Sequence, residues 1–248
     1  MPKTLLVTGG SRGIGAAVAL RAAADGYDVA LTYAEDSTAA RGVVDGIEAA
    51  GRRAVALHAD VAREADVLEV FTALDEEFGA LDAVVINAGI TGRFSRVDEL
   101  DAATLERVMA VNVIGAFLCA REAVRRMSTA HGGRGGAIAF VSSRAASLGS
   151  PGEYVHYAAS KGAVNTLTVG LAKEVAREGV RVNAISPGMI ATEIHARAGQ
   201  PERLERIAPL IPMGRAGTAD EIAAAILWIV SPAASYVTGA VLDIGGGR

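Results

Sequence analysis

Short apolar runs alternate with longer stretches of helical spacing along most of this chain, the pattern of right-handed βαβ crossovers that build a parallel sheet. Lys3 to Thr8 reads as a short buried strand, and an alanine-rich, helix-like run from Ala16 to Ala24 follows. Further strands are predicted at Tyr27 to Tyr33, Arg53 to Ala59, Leu81 to Ile86, Ala137 to Val141, Arg181 to Ile185 and Ala240 to Ile244. Between them the spacing predicts helices from about Thr38 to Gly51, Glu64 to Phe78, Asp101 to Met127, a helix carrying Tyr157 that runs to about Glu178, and Ala219 to Val230. The expected fold class is α/β, a doubly wound parallel sheet of about seven strands with helices on both faces. One long weakly patterned region remains, residues 186–218, with Pro187, Gly188, Pro201, Pro209 and Pro212; an insertion of that length in a compact domain reads as a functional lid over substrate.

Composition narrows this further. A chain of 248 residues, 51% hydrophobic and 4% aromatic, suits one domain spanning 1–248 and is too short for two of full size. The formal charge is -4, with lysines and arginines dispersed, which argues against a nucleic-acid partner. Cys119 is the single cysteine, so no intrachain disulfide and no cysteine-based metal site can form, and a reducing cytoplasm fits. Met1-Pro2-Lys3 leads directly into the first strand without room for a secretory leader, and no later apolar run is read as having transmembrane length; no membrane partner is expected. His58, His131, His156 and His195 share no metal-ligand spacing, and no metal is expected. His156, Glu153 and His195 either line a substrate pocket or face solvent. Arg134 and Lys173 either attract an acidic carrier protein or are ordinary surface charge.

The first strand runs straight into Gly9-Gly10-Ser11-Arg12-Gly13-Ile14-Gly15. Strand, glycine turn and helix in that order bring backbone N–H groups and a positive helix end to where a pyrophosphate can sit, the arrangement of a Rossmann fold. Gly9 permits the tight turn, Gly13 lets backbone approach phosphate, and Gly15 allows close packing of helix on strand. The second candidate site is Tyr157-Ala158-Ala159-Ser160-Lys161, where a tyrosine and a lysine four residues apart share one helix face. A phenol titrates near pH ~10, so acid/base work near neutrality requires a shift of roughly 3 units, which a neighbouring ammonium favours. A surface helix has the same spacing, so the pair gains meaning only from its companions.

With these residues in view, the chain resembles the classical short-chain dehydrogenase/reductase family over nearly its whole length, and within it a bacterial subgroup labelled glucose-dehydrogenase-like or 3-oxoacyl-carrier-protein-reductase-like. Thr8 to Gly15 resembles the family's cofactor turn, with Gly9, Ser11, Arg12, Gly13, Ile14 and Gly15 as implied contacts. Asp60-Val61 resembles the pair that meets adenine. Asn87-Ala88-Gly89 resembles the Asn-Asn-Ala-Gly motif, with Ile86 replacing the first asparagine. Pro187-Gly188, with Ile190 and Thr192, resembles the segment that holds the nicotinamide carboxamide. Asn112 matches the helix asparagine of the catalytic tetrad, and Ser143, Tyr157 and Lys161 match the rest. Ser142 competes with Ser143 for the serine's role; matching Ser143-Arg144-Ala145-Ala146 to the family's serine-plus-small-residue turn favours Ser143.

The resemblance implies an NAD(P)(H)-dependent oxidoreductase interconverting a carbonyl and an alcohol by hydride transfer. Tyr157 would give a proton to the carbonyl oxygen, Ser143 would orient that oxygen, Lys161 would lower the phenol pKa and hold the nicotinamide ribose, and Asn112 would anchor a water. A bland role for Asn112, bonding a neighbouring carbonyl, is compatible with this. The end of the second strand is Tyr33 instead of an acid, and Arg12 can pair with a phosphate, so NADP(H) is favoured over NAD(H). Glu35 and Asp36 argue the other way if they turn inward, and Arg12 is equally read as a solvated loop residue. The reading adopted is a carbonyl or 3-oxoacyl-type reductase; an NAD-dependent sugar or polyol dehydrogenase and a non-catalytic dinucleotide-binding redox sensor are the alternatives. The resemblance also implies a homotetramer or homodimer, built on the helices at Asp101 to Met127 and Tyr157 to Glu178 and on the segment Tyr236 to Asp243.

Overall fold

The computed structural model describes residues 3–193, 199–200 and 202–248. His195, named above as a possible pocket residue, and Pro201 lie outside the described residues. Among the described residues there are seven strands: β1 (Lys3–Thr8), β2 (Tyr27–Tyr33), β3 (Ala54–His58), β4 (Ala83–Ile86), β5 (Gly136–Val141), β6 (Val180–Pro187) and β7 (Val241–Ile244). They form one sheet in the order β3-β2-β1-β4-β5-β6-β7, and every pairing is parallel. The chain order reverses between β1 and β4, and in open parallel sheets the crevice beyond the strand ends at such a switch point is where ligands bind.

The helices are α1 (Gly13–Ala24), α2 (Ser37–Ala49), α3 (Glu64–Phe78), α4 (Ala102–Met109), α5 (Gly115–Met127), α6 (Ala145–Leu148), α7 (Val155–Val175), α8 (Arg203–Ile207) and α9 (Ala219–Val230). Strand side chains alternate between two buried layers, as a sheet covered on both faces requires. Leu5, Val7, Val29, Leu31 and Val85 meet α1, α2 and α9, whose contributions include Val18, Val43 and Ile226. Leu6, Ala30, Val84, Ile86 and Ile138 meet α3, α5 and α7 through Phe71, Ala120 and Val164. Burying each leucine, isoleucine or valine of these layers is favourable by about 1.5–3 kcal/mol. Caps fix several helix starts: Asp36 accepts from Ala39 N at 2.9 Å ahead of α2, and Thr218 and Glu221 form a reciprocal capping box on α9.

The helix expected over Asp101 to Met127 is continuous but not uniform, because residues Ala110–Ile114 form a π-helical segment between α4 and α5. This helix also corrects the reading of apolar runs: Ala102–Met127 is 26 residues, long and apolar enough by length and composition to cross a membrane. Charged residues towards its ends, such as Glu106 and Glu122, disguise the apolar middle when the sequence is scanned for uncharged stretches. Val108, Val111, Cys119 and Ala123 are buried beneath it, as in the core helix of a folded domain. The described residues of the region 186–218 hold more regular structure than its composition suggests. Pro187 belongs to β6, α8 lies within the region, and Ile190 bridges Gly217 so that its two ends are tied together.

Candidate active site

The glycine turn is held from three sides by residues brought together by the sheet. Gly9 N donates to Thr32 Oγ1 at 3.0 Å, and Thr8 Oγ1 accepts from Asn87 N at 3.0 Å and Ala88 N at 3.1 Å. Asn87 Nδ2 donates to Thr8 O at 3.0 Å and Gly9 O at 2.9 Å. Gly9 and Gly13 have φ of +65° and +54°, the left-handed region that glycine adopts without strain. Gly15 sits behind the turn, away from the cavity lining, where a Cβ would stand 2.2 Å from Gly9 O and 2.6 Å from Asn87 Nδ2. Gly15→Ala therefore forces backbone apart in the buried turn and is expected to cost about 3 kcal/mol. Urea denaturation checks this, and a loss below about 0.5 kcal/mol would contradict it.

A cavity of about 890 Å³ runs past the strand ends. At one side it is lined by Gly9, Ser11, Arg12, Gly13 and Ile14 of the turn and by Tyr33. Asp60 and Val61, then Asn87, Ala88 and Gly89, line it beyond β3 and β4. Pro187, Gly188, Ile190 and Thr192 line it beyond β6, and a Cβ on Gly13 would be 3.5 Å from the Thr192 methyl, so the two sides approach closely. Arg12 is 3.8 Å from Glu35, which also lines the cavity, whereas Asp36 caps α2. Asp60 is held by Arg107 Nη1 at 2.8 Å, and its hydrogen bonds from Arg107 and Ala62 outweigh burial and lower its pKa. Arg107 lies 47 residues away in sequence, with no local signal for the pairing.

The catalytic candidates converge at the ends of β5 and α7. Ser142 is buried, with Oγ donating to Asn165 Oδ1 at 2.5 Å and lying 3.3 Å from Lys161 O. Ser143 lines the cavity beside Tyr157 and accepts from Ala145 N at 3.1 Å. Ser142 thus anchors β5 to α7 while Ser143 faces the cavity. Tyr157 and Lys161 both line the cavity on one face of α7, with Lys161 Nζ 5.7 Å from the Tyr157 ring centre. Desolvation raises the Tyr157 pKa, opposed by the neighbouring Ser143 hydroxyl and the Arg203 charge. Lys161 is 5% exposed and donates to Val141 O at 2.8 Å, and burial lowers its pKa to about 8. Burial is the larger influence on the phenol, and the charge of Arg203 opposes it.

Asn112 lies in the π-helical segment, behind the cavity lining. The widened turn lets its amide accept from Ile90 N at 2.8 Å and donate to Ile90 O at 2.8 Å and to Ser160 Oγ at 3.0 Å. Ser160 Oγ donates in turn to Tyr157 O at 2.7 Å, so Asn112 ties the loop after β4 to the turn of α7 that carries Tyr157. A Cβ on Gly89 would be 3.2 Å from Asn112 Oδ1 and 3.3 Å from Lys161 Nζ, which places both side chains against that glycine. Among the residues the sequence did not single out for this site are Arg107, Tyr154, Asn165 and Arg203. His156 Nε2 is 2.9 Å from Thr91 O, a buried contact that supports the wall without lining it. Glu153, the other pocket candidate, does line it. Among the described residues no group of three or more histidine, cysteine or carboxylate side chains converges as a metal site.

Comparison with known proteins agrees with this geometry. Residues 9–248 match the family described as enoyl-(acyl carrier protein) reductase. An uncharacterized oxidoreductase of Escherichia coli, YgfF, is 53% identical over 98% of both chains. Glucose 1-dehydrogenase 2 of Bacillus subtilis is 38% identical over 99% of this chain and 94% of its own. A short-chain dehydrogenase of Burkholderia cenocepacia, solved in complex with NADP, superposes with a TM-score of 0.91 at 37% identity, covering 99% of this chain and 97% of that one. A strand-turn-helix cradle, a shared cavity and whole-length similarity converge on one conclusion: this chain belongs to the short-chain dehydrogenase/reductase family, NAD(P)-dependent oxidoreductases of alcohol and carbonyl groups.

Proposed function

We propose that the chain is an NADPH-dependent carbonyl reductase of the 3-oxoacyl type, with Tyr157 as proton donor, Ser143 as the group that orients the carbonyl oxygen, and Lys161 and Asn112 as its support. The observation that carries this is the single cavity lined by the glycine turn and by Ser143, Tyr157 and Lys161. The cradle fits a dinucleotide: left-handed Gly9 and Gly13 let backbone close on a phosphate, and the N-terminus of α1 points its N–H groups there. Ser11, Arg12, Gly13 and Ile14 would hold the pyrophosphate side, Asp60 and Val61 the adenine, and Pro187, Gly188, Ile190 and Thr192 the nicotinamide side. When bound, that cofactor supplies the hydride.

The chain's own groups do the remaining work. Tyr157, held neutral at pH 7 by burial, holds a proton at Oη for a carbonyl oxygen beside it, and Ser143 shares that oxygen. Residues 186–218 form the lid over substrate. Ile114 and Phe117 on the α4–α5 helix, 53% and 52% exposed, and the fully exposed Tyr236 support assembly as a homotetramer or homodimer. The buried thiol of Cys119 suits a cytoplasmic location.

Oxidation of NADPH and NADH against acetoacetyl thioester and small diketones tests the reading. NADPH is expected to be preferred by about tenfold, because Arg12 faces the cavity and Tyr33 offers no carboxylate to repel a 2′-phosphate. A second reading, an NAD-dependent sugar or polyol dehydrogenase, has one observation in its favour: Glu35 lines the cavity beside Arg12, where a carboxylate suits ribose hydroxyls. A preference for NADH together with oxidation of aldoses would select it.

A further inference from the structure

Beyond Tyr157 the cavity ends in a group that the proposed proton transfer does not use. Glu153 accepts from Arg203 Nη2 at 2.6 Å and from Arg206 Nη2 at 2.8 Å, so each of its oxygens serves a guanidinium and the trio keeps a net positive charge. Arg203 lies 5.2 Å over the Tyr154 ring, with 14% of its side chain exposed. Tyr154 is 2% exposed, with Phe94 edge-on at 5.4 Å, and its buried Oη has no hydrogen-bond partner among the described residues. Glu153, Tyr154 and Arg203 line the same cavity as Tyr157. A buried hydroxyl left without a partner is unfavourable until a polar group meets it.

The chemistry of this group is one-sided. Burial raises the Tyr154 pKa, which keeps it a neutral phenol able to donate, and a guanidinium only donates. Glu153, the carboxylate of the group, already has both oxygens engaged. A sugar or polyol would bring donors as well as acceptors, whereas a carboxylate brings acceptors only and also answers the net charge. Arg203 stands within electrostatic reach of the reacting group as well, since its charge acts on Tyr157.

We propose that Tyr154 and Arg203 form a subsite for a carboxylate carried beside the reacting carbonyl, which makes short keto acids the substrate class. This rests on the reductase reading above and specifies its substrate. Kinetics of the NADPH-loaded enzyme with acetoacetate, methyl acetoacetate and butanone test it, because the three share a ketone and differ in charge and in the second oxygen group. Wild-type kcat/KM is expected to fall in that order. Arg203→Met should lower the acid-to-ester ratio of kcat/KM about thirtyfold and Tyr154→Phe about tenfold, the scale of charge-assisted hydrogen bonds. A wild-type preference for the ester, or equal losses on acid and ester in both variants, overturns the proposal.

Malonate, which cannot be turned over, reads the subsite independently. It should raise the melting midpoint of the wild-type protein with NADPH, and the rise should vanish in both variants; no rise in the wild type overturns the proposal. Malonate protection without reduction of any of the three ketones removes the reductase reading and leaves the subsite. Reduction of ester and butanone without acid preference or malonate protection removes the subsite and leaves the reductase.

Discussion

Replacing Tyr157 by phenylalanine is expected to lower kcat for carbonyl reduction by about 10³-fold while NADPH affinity stays within about tenfold. The substitution deletes one hydroxyl and keeps the ring. The backbone of that turn is fixed independently through Tyr157 O, Ser160 and Asn112, so the variant's fold should persist. What is lost is the phenol hydroxyl that shares the cavity wall with Ser143. The direction of its pKa sets the pH dependence. Burial raises it, so at pH 7 the group is protonated and ready to donate in reduction. In alcohol oxidation the same group must accept a proton, which requires the phenolate. Oxidation is therefore expected to quicken as pH rises towards the phenol pKa, and reduction to slow. Profiles of kcat/KM in both directions check this, with the phenol limb absent in Tyr157→Phe. A loss smaller than tenfold would remove Tyr157 from the role of proton donor.

The parts of this site that sequence made legible are those whose geometry is local. The Tyr157 and Lys161 spacing is fixed by one helix, and strand, glycine turn and helix follow one another within residues 3–24. Seven strands emerged from their apolar runs because the sheet is covered on both faces, and the strand errors were confined to the ends, as with β6, which continues through Pro187, whereas the short helices α6 and α8 left no readable period. What sequence left obscure depends on contacts between distant segments. The choice between Ser142 and Ser143 turns on Asn165, 23 residues away, which takes the Ser142 hydroxyl. Asp60 finds Arg107 across 47 residues, and Glu153 finds Arg203 across 50. The π-helical turn around Asn112 keeps an ordinary helical spacing in sequence, and only its bonds to Ile90 reveal the extra width. Spacing reports which groups are neighbours but not how deeply each is buried, so the burial of Tyr157 and Lys161 was not legible either.

Replacing Lys161 by methionine is expected to stabilise the cofactor-free protein at pH 7 while nearly abolishing its activity. Burial lowers the Lys161 pKa from 10.5 to about 8, so keeping the ammonium charged in the folded state costs about 3 kcal/mol at neutral pH. Its hydrogen bond to Val141 O returns about 1 kcal/mol, which the variant forgoes. The net gain of about 2 kcal/mol corresponds to a rise in Tm of about 4–8 °C for a chain of this size. The sign follows from proton binding. Below pH 8 lysine is charged in both states and the whole cost is felt. Between pH 8 and 10.5 the folded state has released the proton and the unfolded state has not, so wild-type stability climbs with pH and the gap to the variant narrows. Melting both proteins at pH 7 and 9.5 checks this, and a variant less stable than wild type at pH 7 would show that the buried ammonium stabilises the fold. A group that weakens the resting protein yet sits 5.7 Å from the Tyr157 ring is retained for what it does with cofactor and substrate in place. kcat for carbonyl reduction in Lys161→Met should accordingly fall by about 10²-fold or more even as the protein becomes harder to melt.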